Sequence, residues 1–214
     1  MADWEELHAR ARERYEDGAA RLPDDADARQ RQLTRMGNAA GAAGLTALMS
    51  GRDGAEWFAR AAESYRRSWD DAPPGSWGRP IGAIKARILA GDWDGAAGDA
   101  RWAIDAGAGE SESPIGRYAA ALAHGVLGDW EATRLHADYA RTHEQFPDEV
   151  ADALAFIAAE DVVGYIEAIE DVLRSFETRD EYLEDIPVAD TVLVLQALAA
   201  RRGMAAELES ELLP

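Results

Sequence analysis

Gly91-Asp92-Trp93-Asp94-Gly95-Ala96 and Gly128-Asp129-Trp130-Glu131-Ala132-Thr133 are two copies of one signal, 37 residues apart. A fainter third copy, Glu160-Asp161-Val162-Val163-Gly164-Tyr165, follows 32 residues later. Each part has a physical role. The glycine ends one helix in a left-handed cap, and the aspartate caps the next. The tryptophan packs back across the pair, and the small residue lets the two axes approach. Each copy therefore predicts a helix, a tight turn and a second helix. The expected pairs are 81–90 with 93–106, 114–127 with 130–143, and 149–159 with 162–179. The fold class that follows is all-α, an array of antiparallel helical hairpins forming an α-α superhelix.

Outward from the repeats, the pattern stays helical. Asp3 is placed to cap a first helix reaching Arg21, with Trp4, Leu7, Ala11 and Tyr15 on one stripe. Leu22-Pro23-Asp24-Asp25 breaks it. A second helix is expected over 27–49. It carries Gly37, Gly41 and Gly44 among alanines, a small-residue face that implies very close packing. A third helix over 55–69 presents Trp57, Phe58, Ala61, Ala62, Tyr65 and Trp69. The run from Asp70 to Ser76 is the strongest breaker in the chain. Near the other end, a helix over 188–202 should stop at Gly203. The organisation expected is a single domain: irregular N-terminal helices over 1–70, hairpin repeats over 78–180, and a C-terminal helix and tail over 188–214.

The 34-residue scale and the second helices of the repeats resemble tetratricopeptide proteins. Trp93, Ala96, Ala100 and Ala103 carry the likeness in the first copy, and Trp130, Ala137 and Ala140 in the second. The first helix departs from that pattern, since Pro80, Ala83 and Ile84 stand where an aromatic, a leucine and a small residue are expected. The array is therefore tetratricopeptide-like.

Composition narrows function by exclusion. The 214 residues hold 41 acidic and 22 basic side chains, a formal charge of -19. That opposes binding to nucleic acid or to an anionic membrane surface, both of which need a basic face. No cysteine is present, so thiolate chemistry and cysteine-ligated metals are excluded. The N-terminus has no basic, apolar leader, so the expected location is the cytoplasm. Lys85 is the single lysine beside 21 arginines, and the carboxylates read as spread along the chain. This balance resembles proteins adapted to concentrated salt. Melting temperature is then expected to rise clearly between 0.1 M and 3 M KCl as screening relieves self-repulsion. A flat profile would return the acidity to a binding role.

Catalytic signals are lacking. His136 and His143 are two helical turns apart, too far to share one zinc ion, and read as surface or half-buried groups. His124 reads as a satisfied group near a hairpin interior. There is no serine elbow, and no carboxylate pair stands out among 41. The expectation is a protein that is not an enzyme, with no catalytic residue, no cofactor and no metal.

The C-terminal stretch VADTVLVLQALAARRGMAAELESELLP, residues 188–214, resembles the end of the immunity protein 49 family. The shared features are a small-and-aliphatic helix, Arg-Gly, an acidic extended segment and a Leu-Pro end. Ser76-Trp77-Gly78, opening the central part, fits in style. The resemblance implies an all-helical protein that neutralises a cognate toxin by covering it, and the acidic surface suits a basic toxin as that partner. A generic tetratricopeptide-like adaptor, holding a peptide or partner protein in its groove, is the alternative. Trp77 and Arg79, in the Pro/Gly loop 70–79, are the candidate partner-binding residues, with Trp77 expected to be partly exposed. The competing expectation is that Trp77 plugs the first hairpin.

Overall fold

The computed structural model describes residues 2–214. Ten α-helices follow one another: α1 (Trp4–Ala20), α2 (Ala26–Met49), α3 (Ala55–Trp69), α4 (Gly78–Leu89), α5 (Trp93–Asp105), α6 (Pro114–Leu127), α7 (Trp130–Arg141), α8 (Asp148–Ala159), α9 (Val162–Glu177) and α10 (Asp190–Ala200). No strand occurs among the described residues. Helices α4–α5, α6–α7 and α8–α9 are the three hairpins expected from the repeats. Helices α2 and α3 pair in the same way, so the array reaches into the N-terminal segment that the sequence reads as irregular.

The turn signals act as their chemistry dictates. Gly91 and Gly128 are left-handed, with φ of 70° and 79°. The carboxylates of Asp92, Asp129 and Asp161 accept the backbone N–H of Gly95, Ala132 and Gly164 at 2.9, 3.2 and 3.0 Å. In the third copy Glu160 takes the glycine position and still adopts a φ of 56°. A side chain there is strained, and glycine is not. Glu160→Gly should therefore raise stability by up to about 1 kcal/mol, or roughly 2 °C in thermal unfolding. Loss of stability would mean that the ion pair from Arg202 to the Glu160 carboxylate outweighs the strain.

Alternate helices stack in two layers. α2, α4, α6 and α8 form the inner layer, each touching the next, while α1, α3, α5, α7 and α9 form the outer one. The layers approach closely where the sequence is small. Gly37 and Gly82 flank the Tyr65 ring, and a Cβ on either would lie 2.7 Å from it. Gly44 sits against Phe58 in the same manner.

α10 does not extend the stack. After α9 the chain returns to α2, where Arg14 of α1 binds Glu184 at 2.8 Å. It then crosses the inner face from α4 to α8. Val192, Val194, Leu195 and Leu198 are completely buried in a core shared with Ile84, Leu122 and Leu154. Two arginines anchor its far end. Arg201 donates to the Val126 carbonyl at 2.7 Å, and Arg202 to those of Ile157 and Ala158 at 3.0 and 2.7 Å, satisfying the C-termini of α6 and α8. The same guanidinium groups lie 4.4 and 4.5 Å from the rings of Trp93 and Trp130. The two repeat tryptophans are thus equivalent, each covered by one of two successive arginines. The tail then folds back, with Leu212 accepting from the Ala189 N–H at 3.0 Å.

Candidate functional site

In an array of this kind the inner face is the natural place for a partner. Here α10 fills most of it. An opening lies at the end where α2, α4 and the approach to α10 meet. It is a cavity of about 330 Å³. Its floor is apolar: Leu45, Phe58, Ala61, Ala86 and Leu89. Gly41 and Gly78 border it with nothing within 4 Å of where a Cβ would stand. Gly41 therefore differs from Gly37 and Gly44 on the same helix, which are small because an aromatic ring presses on them.

The polar part of the wall comes from Thr34, Asn38, Tyr65, Arg79, Lys85 and Asp190. Tyr65 donates to Asn38 Oδ1 at 2.8 Å. Burial raises the Tyr65 phenol, and Asp190 and Glu184 act in the same direction, so it stays protonated. Lys85 donates to Asp190 at 2.5 Å and to Thr191 Oγ1 at 3.0 Å. Burial works against its ammonium, but the charge and hydrogen bond of Asp190, with Tyr118, together hold the pKa above the ordinary lysine value. Arg79 donates from Nε to Ser68 at 3.1 Å and from a terminal nitrogen to Gln30. Burial lowers its pKa.

Leu183 stands at the mouth, 68% exposed. It opens a one-turn 3-10 segment, Leu183–Asp185, in which Glu184 and Asp185 both adopt left-handed backbone, at φ of 57° and 61°. Arg14 holds both carboxylates, at 2.8 and 3.7 Å. Two adjacent non-glycine residues in that region store strain.

The structure separates the two residues singled out from the sequence. Arg79 lines the cavity. It is on the first turn of α4 and not in a loop, because Pro80 is tolerated there, where helix N–H groups have no partner anyway. Trp77 is 8% exposed, in contrast to the partly exposed ring expected. Its ring packs 5.6 Å from that of Trp69 and against Ala108, Ala119 and Ala120. Trp69 in turn meets Trp102 edge-on at 5.6 Å. Gly116 makes room for the indole, since a Cβ there would lie 2.8 Å from Nε1. Trp77→Ala should accordingly lower the melting temperature by several degrees; an unchanged value would show that the ring contributes little to the core.

His136 is buried, and its ring stacks on that of His124 at 5.4 Å. Burial, with His124 and Arg117 nearby, keeps it below the ordinary histidine value. His143 packs on Tyr139 at 4.9 Å. No group of three or more His, Asp or Glu side chains suited to a metal occurs among the described residues.

Sequence reasoning missed Lys85, Asn38, Gly41 and Leu183. Two signals were available. Lys85 is the only lysine, and Gly41 is a mid-helix glycine with a cost of about 1 kcal/mol that no ring contact explains. The acidity is also less even than it reads. Residues 148–214 carry 17 acidic and 4 basic side chains, against 24 and 18 in residues 1–147. No protein-family model, curated protein or solved structure matches the chain.

Proposed function

We propose that the chain is a non-enzymatic, helical-repeat binding protein whose partner is another protein, engaged where the inner face remains open. One observation carries this reading: α10 lies against α4 and α8, and at the α2–α4 end a strained turn leaves Leu183 exposed beside a cavity with an apolar floor. An exposed leucine beside a pocket is the kind of apolar anchor around which protein interfaces form. No helix among the described residues is long and apolar enough to cross a membrane.

The test compares surface variants in the source organism. Leu183→Asp and Gly78→Arg alter the lip, and Leu135→Asp alters an exposed site on the outer-layer helix α7. Loss of crosslinked partner with the first two, at unchanged melting temperature, supports the reading. Equal loss with all three, or none with the lip variants, overturns it.

A second reading, the toxin-neutralising one that the C-terminal resemblance implies, draws support from the charge asymmetry. The acidic final third suits a basic toxin, bound by occlusion over a surface on the order of 800 Å² per partner. Its test is rescue: co-expression should protect cells from a toxin encoded beside this gene, and reversing charges on α9 (Glu167→Lys, Glu170→Lys) should abolish protection.

A further inference from the structure

We infer that the cavity between α2 and α4 binds a small amphiphilic carboxylate, a monoanion with an aliphatic or aromatic body. The inference does not depend on a protein covering the lip. It rests on the hydrogen-bonding capacity of the wall. Three cavity residues have donors left over. Arg79 has no carboxylate within 4.0 Å among the described residues and bonds only the neutral groups of Gln30 and Ser68. Asn38 spends its carbonyl oxygen on Tyr65, and its amide N–H groups have no acceptor among the described residues. Lys85 has three N–H donors and two acceptors. On the acceptor side, Asp190 is the one carboxylate on the wall, and Lys85 already neutralises it.

The lining side chains are therefore donor-rich and sum to one formal positive charge, Arg79 and Lys85 against Asp190, inside a protein whose formal charge is -19. A positively charged, half-desolvated wall favours an anion. The floor formed by Phe58, Leu45 and Leu89 favours an apolar body. Both conditions are met by a carboxylic acid of modest size, and a volume of about 330 Å³ is at the small end for ligand sites. Gly41 adds an independent indication. It gives up helix stability with no neighbour requiring it, and what it leaves is space in this cavity.

The test uses the full-length protein with octanoate and 3-phenylpropionate, and with 1-octanol and 3-phenyl-1-propanol as uncharged counterparts. Amide NMR shifts are followed during titration. Saturable shifts at Gly41, Gly78 and Gly82, with each acid bound at least tenfold tighter than its alcohol, are expected. Arg79→Met should erase that preference. Gly41→Leu places a side chain in open space, so it should keep or raise the melting temperature while abolishing binding. Absence of saturable shifts, equal binding of alcohol and acid, or undiminished binding by a folded Gly41→Leu protein would overturn the assignment.

Discussion

Removal of residues 190–214 is expected to abolish cooperative folding, leaving a helical but loosely packed chain that aggregates. α10 contributes Val192, Val194, Leu195 and Leu198, all fully buried, and its loss uncovers the apolar faces of α4, α6 and α8 together. Burying one such side chain is worth about 1.5–3 kcal/mol, so four approach the whole stability of an ordinary domain. A milder version is Leu195→Ala, which should cost about 2–5 kcal/mol. Urea unfolding checks both. If the truncated chain melts as sharply and as late as the intact one, α10 is a detachable occupant of the inner face, and the groove is available to a peptide after all.

The second large effect is expected at Lys85. Lys85→Met leaves the Asp190 carboxylate, 29% exposed, without its cation. Removing one partner of a largely buried pair costs about 3–5 kcal/mol, and the partial exposure here puts the loss toward the lower figure. The double variant Lys85→Met/Asp190→Asn removes the orphaned charge and should recover most of it. Equal losses in the single and double variants would mean that Lys85 acts through packing alone. The pair also predicts a pH dependence. The folded-state pKa of Lys85 lies above its ordinary value of 10.5. Its contribution is thus complete below that pH and lost as pH rises through the folded value. Alkaline unfolding should be shifted in the Lys85→Met protein.

The helices were legible because their ends are written in local chemistry. An aspartate immediately before each second helix, preceded by a glycine in the first two copies, acts within a few residues of itself. The α4–α5 and α6–α7 hairpins could be placed for that reason. The pairing of α2 with α3 was not legible, since it lacks the Gly-Asp-Trp turn and depends on Tyr65 and Phe58 seating on glycines of the facing helix. The path of α10 was not legible either. Its apolar residues leave no polar side to orient it, so periodicity shows a buried helix without saying where. The cavity belongs to the same class of feature. Its wall joins Asn38, Tyr65, Lys85 and Asp190, which no spacing rule connects. Trp77 carried two expectations, an exposed ring from its Pro/Gly setting and a plug in the core, and the ring turns inward onto Trp69.

The crossing of α10 has a consequence for how the molecule is made. Lys85 meets Thr191 across 106 residues, and Arg14 meets Glu184 across 170. Translation delivers the N-terminal hairpins first, at roughly 5–20 residues per second. Helices α4, α6 and α8 therefore emerge with apolar faces that nothing yet covers. The piece that closes them is synthesised only after all three. Until then the nascent chain is an open trough, suited to capture by a chaperone, and a ribosome stalled short of α10 would release a product with no finished interior.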